Sequence, residues 1–138
     1  MALQQGATDA FKTGLMNGAY NFTSGSFKIA LYTGSATLGP DTSVYTSLNE
    51  VVATGYTAGG ESLPVSVAPI SANNITYISF SNVTWYGSIT ARGALIYQSG
   101  GSNPTVCVLD FGSDKTSITS LTVQFPTANS TNAIIRIT

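Results

Sequence analysis

Short alternating segments, each closed by turn residues, constrain the fold of this 138-residue chain more than any other feature. In "SFKIALYT", Phe27, Ile29 and Leu31 share one side, the period-two pattern of a strand with a buried face. The other such segments are "LPVSV", "ITYISFSNVTWYG", "ARGALIYQ", "TVCVLDF", "LTVQFP" and "AIIRIT". Gly, Ser, Asn and Pro separate them. We therefore expect one mainly β domain over residues 1–138, an antiparallel β-sandwich or jelly-roll-like fold.

The N-terminal segment departs from this β pattern. Apolar residues recur there at every fourth position: Leu3, Ala7, Phe11 and Leu15. This spacing places them on one face of a helix, and Asn17-Gly18 is typical of a helix end. We expect a short helix over about residues 3–17. Its apolar stripe, with Phe11 and Leu15 as interface candidates, packs on the domain or on a neighbouring subunit.

A long segment over residues 33–62 has only weak periodicity and is rich in Gly, Ser and Thr. Ordered loops of this length in compact domains are usually functional. Large aromatic side chains are common anchors of protein interfaces. We therefore expect this loop to contact a partner through Tyr45 and Tyr56.

Charged residues make up only 8% of the chain, and the formal net charge is −1. Nucleic acids and anionic membrane surfaces are bound through clusters of Lys and Arg, and no such cluster is present. No apolar run reaches the roughly 20 residues of a membrane span. The N-terminus "MALQQGATDAFKTG" lacks the basic start and apolar stretch of a secretory signal. We expect binding to neither nucleic acid nor membrane.

Residue types needed for common catalysis are scarce. The chain has no histidine, which removes the commonest general base and metal ligand. Its one cysteine, Cys107, allows no internal disulfide, and a zinc site is effectively excluded. Because Cys107 lies in an apolar strand, we expect it to be buried. We expect no catalytic, metal or cofactor site.

The stretch "VCVLDFGSDK" contains Asp110-Phe111-Gly112, the triplet that holds magnesium in protein kinases. The other kinase motifs are missing. Asp110 and Asp114 also lack the dense ligand spacing of a calcium loop. We therefore expect a strand that ends at the triplet, with Gly112 to Lys115 as a tight turn.

Paired carboxylates are the remaining route to catalysis, as in glycosidases. That chemistry needs two carboxyl groups about 5–9 Å apart. The candidates are Asp41, Glu50, Glu61, Asp110 and Asp114. Nothing in their spacing brings two together, so we expect solvated or turn-capping carboxylates.

Aromatic residues leave a binding function open. Trp85 and Tyr86, with Tyr20, Tyr45, Tyr56 and Tyr97, are compatible with a sugar-stacking platform, with a core, or with interface anchors. A carbohydrate-binding module for host recognition, acting through Trp85, is thus one alternative function.

Five segments carry a resemblance to a known family. They are "FKTGLMNGAYNFTSGSFKIALYTGSATLG", "NEVVATGYTAGGESL", "WYGSITARGALIYQ", "VLDFGSDKTS" and "FPTANSTNAIIRIT". In this order, along nearly the whole chain, the sequence resembles small virion structural proteins of tailed bacteriophages. The central "VSVAPISANNITYISFSNVTWYG" matches only in its general β pattern.

The resemblance implies a non-enzymatic particle component, foremost a capsid cement or decoration protein on the outside of the head shell. It implies the major capsid protein as partner and copies of the chain itself as a dimer or trimer. It also implies synthesis in the host cytoplasm without a signal peptide. A tail, collar or fibre-associated protein is the alternative within the same family.

Overall fold

The computed structural model describes residues 2–137. Within this range it contains helix α1 (Asp9–Asn17) and strands β1 (Gly6–Ala7), β2 (Phe27–Tyr32), β3 (Glu61–Ser62), β4 (Val65–Ala72), β5 (Ile75–Phe80), β6 (Val83–Tyr86), β7 (Thr90–Gln98), β8 (Thr105–Thr116), β9 (Ser120–Val123) and β10 (Ile135–Ile137). All pairs of these strands are antiparallel. The predicted mainly β, antiparallel fold with one short helix is confirmed, and the arrangement is sandwich-like.

The strands form three hydrogen-bonded groups. The largest is a five-stranded sheet in the order β1-β8-β7-β2-β3. A three-stranded sheet has the order β10-β5-β4, and β6 pairs with β9. Because β6 leads into β7 and β8 leads into β9, the β6–β9 pair lies at one end of the large sheet.

The β6–β9 and β7–β8 pairs are two parts of one long ribbon. One register continues across the join between them. The opposed residues there are Tyr86 and Ser120, Gly87 and Thr119, Ile89 and Ser117, and Thr90 and Thr116. Backbone hydrogen bonds of 2.8 Å, donated by Gly87 and Ser117, hold the join. The ribbon runs from residue 83 to 98 and returns from 105 to 123.

Both faces of the large sheet are covered. Ile29 and Leu31 of β2 point into the main core, which lies between this sheet and the other strands and α1. Ala30 and Tyr32 point the opposite way, into a second apolar cluster with Leu38 of the 33–62 loop. Alternation predicted one buried face for this strand. The structure buries the second face as well, because the loop folds over it.

The helix is shorter than predicted. It begins at Asp9, so the expected start near residue 3 is wrong. Thr8 is its N-cap, and the Thr8 hydroxyl accepts a hydrogen bond from the Phe11 N–H at 3.2 Å. Residues before Thr8 are extended because β1 pairs with β8. Gly18, in the left-handed conformation at φ 78°, ends the helix where the sequence predicted.

The predicted turn after Asp110-Phe111-Gly112 is also wrong. Strand β8 continues through it to Thr116. Gly112 has φ 84°, and the pairing of β8 with β7 shifts register here. One Asp110 oxygen accepts hydrogen bonds from the Gly112 N–H at 2.9 Å and from Arg92 Nε at 3.1 Å. The triplet is therefore a bulge inside a strand rather than its end.

Candidate functional site

The 33–62 loop closes around the side chain of Glu50, which is only 6% exposed. One carboxylate oxygen accepts a hydrogen bond from the Tyr45 hydroxyl at 2.5 Å. The other accepts hydrogen bonds from the Tyr56 hydroxyl and, at 2.8 Å, from the Gly59 N–H. No ion pair among the described residues includes Glu50. Hydrogen bonds thus compensate for burying this carboxylate.

Two more tyrosines fasten the loop to the large sheet. The Tyr97 hydroxyl donates to the Gly59 carbonyl at 2.6 Å, and the Tyr32 hydroxyl donates to the Thr46 carbonyl at 2.5 Å. Burial raises the pKa of both hydroxyls, and the nearby Glu50 raises it further. We call Glu50, Tyr32, Tyr45, Tyr56 and Tyr97 the Glu50 cluster.

Of the two tyrosines expected to anchor a partner, Tyr56 is buried within the chain and Tyr45 keeps part of its surface exposed. Tyr45 is half-buried, with its ring 4.9 Å from that of Tyr97. Tyr56 is buried, with its ring 6.2 Å from that of Trp85. Burial raises the pKa of both hydroxyls, and their hydrogen bonds to Glu50 raise it further. Both side chains hold the loop to its own sheet, because their hydroxyls donate hydrogen bonds to the buried Glu50 carboxylate.

The helix candidates divide into one core residue and one partly accessible residue. Phe11 is 2% exposed, and its ring meets those of Tyr20 and Phe22 edge-on at 5.1 and 5.9 Å. It belongs to the core, which corrects its assignment to an interface. Leu15 is half-buried and lines an apolar groove beside Ile135 of β10. Leu15 therefore keeps some apolar surface open.

The candidate carboxylates differ in their surroundings. In residues 2–137 no group of three or more Cys, Asp or Glu lies close enough together to hold a metal ion. Glu50 is buried, so its expected solvated position is wrong. The Gly112 N–H and Arg92 hold the pKa of Asp110 below its usual value. Cys107 is buried as predicted, and burial raises its pKa to about 12. No helix in the same range is long and apolar enough to cross a bilayer.

The proposed sugar platform does not form as expected. Trp85 is 2% exposed and lies in the core, where its Nε1–H has no hydrogen-bond partner in the described part of the chain. Its neighbour Tyr86 is 75% exposed, because successive side chains of a strand point to opposite faces. Trp85 cannot stack on a ligand, whereas Tyr86 can.

Tyr86 belongs to the outer face of the long ribbon. Every second residue of the two strands points to this side, away from the core. Its members are Thr84, Tyr86, Ser88, Thr90, Thr116, Ile118, Ser120 and Thr122, and we call this surface the ribbon face. It contains no charged residue. Six of its eight side chains are Ser or Thr.

Two hydroxyl pairs brace the ribbon face. The hydroxyl oxygens of Thr84 and Thr122 are 2.8 Å apart, and those of Thr90 and Thr116 are 3.0 Å apart. Such cross-strand pairs stabilise antiparallel strands. Between them lies Tyr86, with Ile118, 87% exposed, on the neighbouring strand. The surface thus offers two large apolar side chains surrounded by groups that both donate and accept hydrogen bonds.

Backbone contacts fix the position of Tyr86. The Tyr86 carbonyl lies so close to Gly55 that a Cβ on Gly55 would be 2.0 Å from its oxygen. The Thr54 carbonyl oxygen would be 2.4 Å from a Cβ on Gly87. The 33–62 loop is therefore packed directly against the ribbon through two glycines. The Glu50 cluster holds the loop, and the loop in turn supports the ribbon face.

The sequence contained a partial signal for this surface. Alternation in "VTWY" separates Trp85 from Tyr86, although it does not say which of them is buried. The exposure of Ile118 could not be predicted from the sequence, because the segment "SITS", which leads into β9, has no apolar alternation of its own. Its exposure follows from a register that joins it to residues 30 positions away.

Comparisons of the chain with protein-family models, with curated proteins and with solved structures gave no match.

Proposed function

We propose that this protein is a non-enzymatic structural component of a bacteriophage virion, a cement or decoration protein that binds the outside of the head shell and stabilises it. The resemblance along nearly the whole chain supports the proposal. The observation that carries it is the ribbon face, which exposes Tyr86 and Ile118 among uncharged hydroxyl groups. Protein interfaces combine such apolar anchors with a polar surround.

The ribbon face is suited to permanent attachment under changing salt. It carries no charge, so counter-ions screen little of its binding energy. Tyr86 offers a large contact area with few rotatable bonds. The backbone contact between Gly55 and Tyr86 holds the face in place before binding, which reduces the entropy lost on association.

The proposed partners are the major capsid protein and further copies of this chain. The proposed location is the head surface of the virion, after synthesis in the host cytoplasm. Neither nucleic acid nor membrane is proposed as a partner, because the five Lys and Arg residues form no cluster in the sequence.

The copy number and position on purified particles test this function. A cement protein occupies the repeating lattice of the shell, so we expect hundreds of copies, located on the head by antibody labelling and by imaging of the particle. A few dozen copies confined to the tail or collar would replace the cement function with that of a tail, collar or fibre component.

One observation favours a second candidate, a carbohydrate-binding function. The exposed Tyr86 ring lies on the same face as the hydroxyls of Thr84 and Ser88, and sugars bind by stacking on rings and by hydrogen bonds. A glycan array with the wild type and Tyr86→Ser separates the two candidates. Binding lost in the variant supports sugar recognition, and no binding by the wild type eliminates it.

A further inference from the structure

Most edges of the sheets carry features that prevent pairing with another strand. The edge strand β4 contains Pro69 and two register shifts. The edge strand β3 has two residues, one of them Glu61, and β10 has three residues with Arg136 at its centre. Proline, bulges, charge and short length are the devices by which proteins protect exposed strand edges.

The outer edge of β8 and β9 is different. In the described chain, β1 pairs with β8 only at Cys107 and Val108, and no strand pairs with this edge beyond them. The first part is protected by the bulge at Gly112 and by Asp114 and Lys115. The second part, Thr116–Val123, reads "TSITSLTV" and has no charge, no proline and no glycine.

The backbone of this second part is oriented for pairing. The Ser117 N–H donates to the Ile89 carbonyl, and the Thr119 carbonyl accepts from the Gly87 N–H. The backbone groups of Ser117 and Thr119 therefore point inward, toward the other strand of the ribbon. Backbone groups of an antiparallel strand alternate in direction. The residues between and beside them, Thr116, Ile118, Ser120 and Thr122, therefore point their N–H and C=O groups outward. These four residues form an unpaired row along an eight-residue segment, which bends at Ile118 and Thr119 where β8 passes into β9.

We propose that Thr116–Val123 pairs with the same segment of a second copy of this chain, antiparallel and across a two-fold axis. Such self-pairing is isologous, so one edge supplies both sides of the interface. Because the segment is uncharged, no like charges are placed opposite each other. Thr, Ser and Ile side chains also form favourable cross-strand pairs.

An apolar cleft beside the edge adds to the contact. Phe111, Leu121 and Val123 line it on the inner side of the ribbon, together with Lys115. On the outer side, Ile118 is 87% exposed, and pairing places a side chain of the second copy beside it while its outward surface stays on the ribbon face. The edge therefore offers apolar surface on both sides of the backbone row, as strand-addition sites do.

The pairing has a consequence for the ribbon face. The two-fold axis of an antiparallel strand pair is perpendicular to the sheet, so both copies turn the same face in the same direction. The two Tyr86 side chains then lie on one continuous surface that is twice as large. The pairing itself does not depend on the proposed virion function, and it is tested on the free protein.

Molecular mass as a function of concentration tests the proposal. An eight-residue edge is smaller than a standard interface, so we expect a reversible dimer. The mass of the wild type in sedimentation equilibrium rises from 14.3 kDa toward twice that value between about 1 μM and about 1 mM. Ile118→Lys places two like charges beside the axis and raises the dimer Kd at least about tenfold.

Two variants and one direct readout make the result specific. Met16→Lys adds the same charge at an exposed helix position and dimerises like the wild type. Ser120→Pro removes one outward N–H without adding charge and weakens the dimer. Amide hydrogen exchange at Thr116, Ile118, Ser120 and Thr122 slows as concentration rises.

Three results overturn the proposal. They are a wild type that stays at 14.3 kDa at all concentrations, a closed trimer as the assembled state, and a dimer that survives both Ile118→Lys and Ser120→Pro. Circular dichroism establishes that each variant is folded before its mass is measured. If Ser120→Pro does not fold, the Ile118→Lys result decides, because that side chain is exposed.

Discussion

The Tyr56 hydroxyl donates a hydrogen bond to the Glu50 carboxylate and accepts one, at 2.9 Å, from the Leu31 N–H. One hydroxyl group thus connects a loop carboxylate with the backbone of the central strand β2. The 33–62 loop covers one face of the large sheet and supports the ribbon through Gly55. Stability of the loop and geometry of the ribbon face are therefore linked through Glu50.

Replacing Glu50 should destabilise the fold. Glu50→Gln loses one acceptor oxygen and leaves a buried donor without its charged partner, so we expect a loss of about 1–3 kcal/mol of unfolding free energy in urea denaturation. Glu61→Gln, at an exposed position, is the matched control and should change stability by less than about 0.5 kcal/mol. Equal effects of the two substitutions would contradict the role given to Glu50.

Tyr56 and Glu50 should be energetically coupled. Tyr56→Phe keeps the ring and removes the hydroxyl, and we expect it to cost about 1–3 kcal/mol. In the double variant the two losses overlap, so their sum should exceed the measured loss by about 0.5–3 kcal/mol. If the losses of the two single variants simply add up in the double variant, Tyr56 and Glu50 are not coupled. The hydrogen bond between them would then contribute no unfolding free energy of its own.

Stability should fall at alkaline pH. Burial raises the folded-state pKa of Tyr32, Tyr45 and Tyr56 above the ordinary value of 10.0, so these groups hold their protons when the unfolded chain releases them. Their contribution is complete below about pH 10 and is lost as the pH rises further. Urea denaturation from about pH 8 to about pH 12 measures the decline. Stability that is constant over this range would contradict the burial of these hydroxyls.

A methyl group at Gly55 should disturb the ribbon face. Gly55→Ala places a Cβ 2.0 Å from the Tyr86 carbonyl oxygen, at a residue with φ 94°. Gly112→Ala is the matched control, because Gly112 has φ 84° and open space around its Cβ position. The backbone strain is common to both, so we expect Gly55→Ala to cost at least about 2 kcal/mol more in thermal or urea unfolding. Similar losses would show that the loop does not press on the ribbon.

Local periodicity predicted much of the sheet and the end of the helix. Alternation located β2 correctly, and Gly18 ended α1 as expected. The start of α1 was wrong because Leu3 pairs with Leu38 and packs in the second apolar cluster, while Gly6 and Ala7 pair with β8, about 100 residues further along. The tight turn expected at Gly112 was wrong because a bulge and a turn both use a glycine with positive φ, and residue type alone does not distinguish them.

The candidate site could be predicted only in part. The low content of charged residues is consistent with the uncharged ribbon face. The burial of Glu50 could not be predicted, because its donors Tyr45, Tyr56 and Gly59 converge only once the loop has folded. The two tyrosines were expected at an interface for their size. Their hydroxyls instead donate hydrogen bonds to the Glu50 carboxylate within the same chain.

The most direct measurement is binding of the purified protein to head shells stripped of it, with Tyr86→Ser as the variant and Met16→Ser, 93% exposed on α1, as the control. We predict that the wild type and Met16→Ser bind and restore the resistance of the shell to heat. We predict that Tyr86→Ser binds at least about tenfold more weakly, because Tyr86 is the main apolar anchor of the ribbon face. Wild-type protein that does not bind stripped shells would contradict the proposed function. Tyr86→Ser that binds and stabilises like the wild type would contradict the role of the ribbon face.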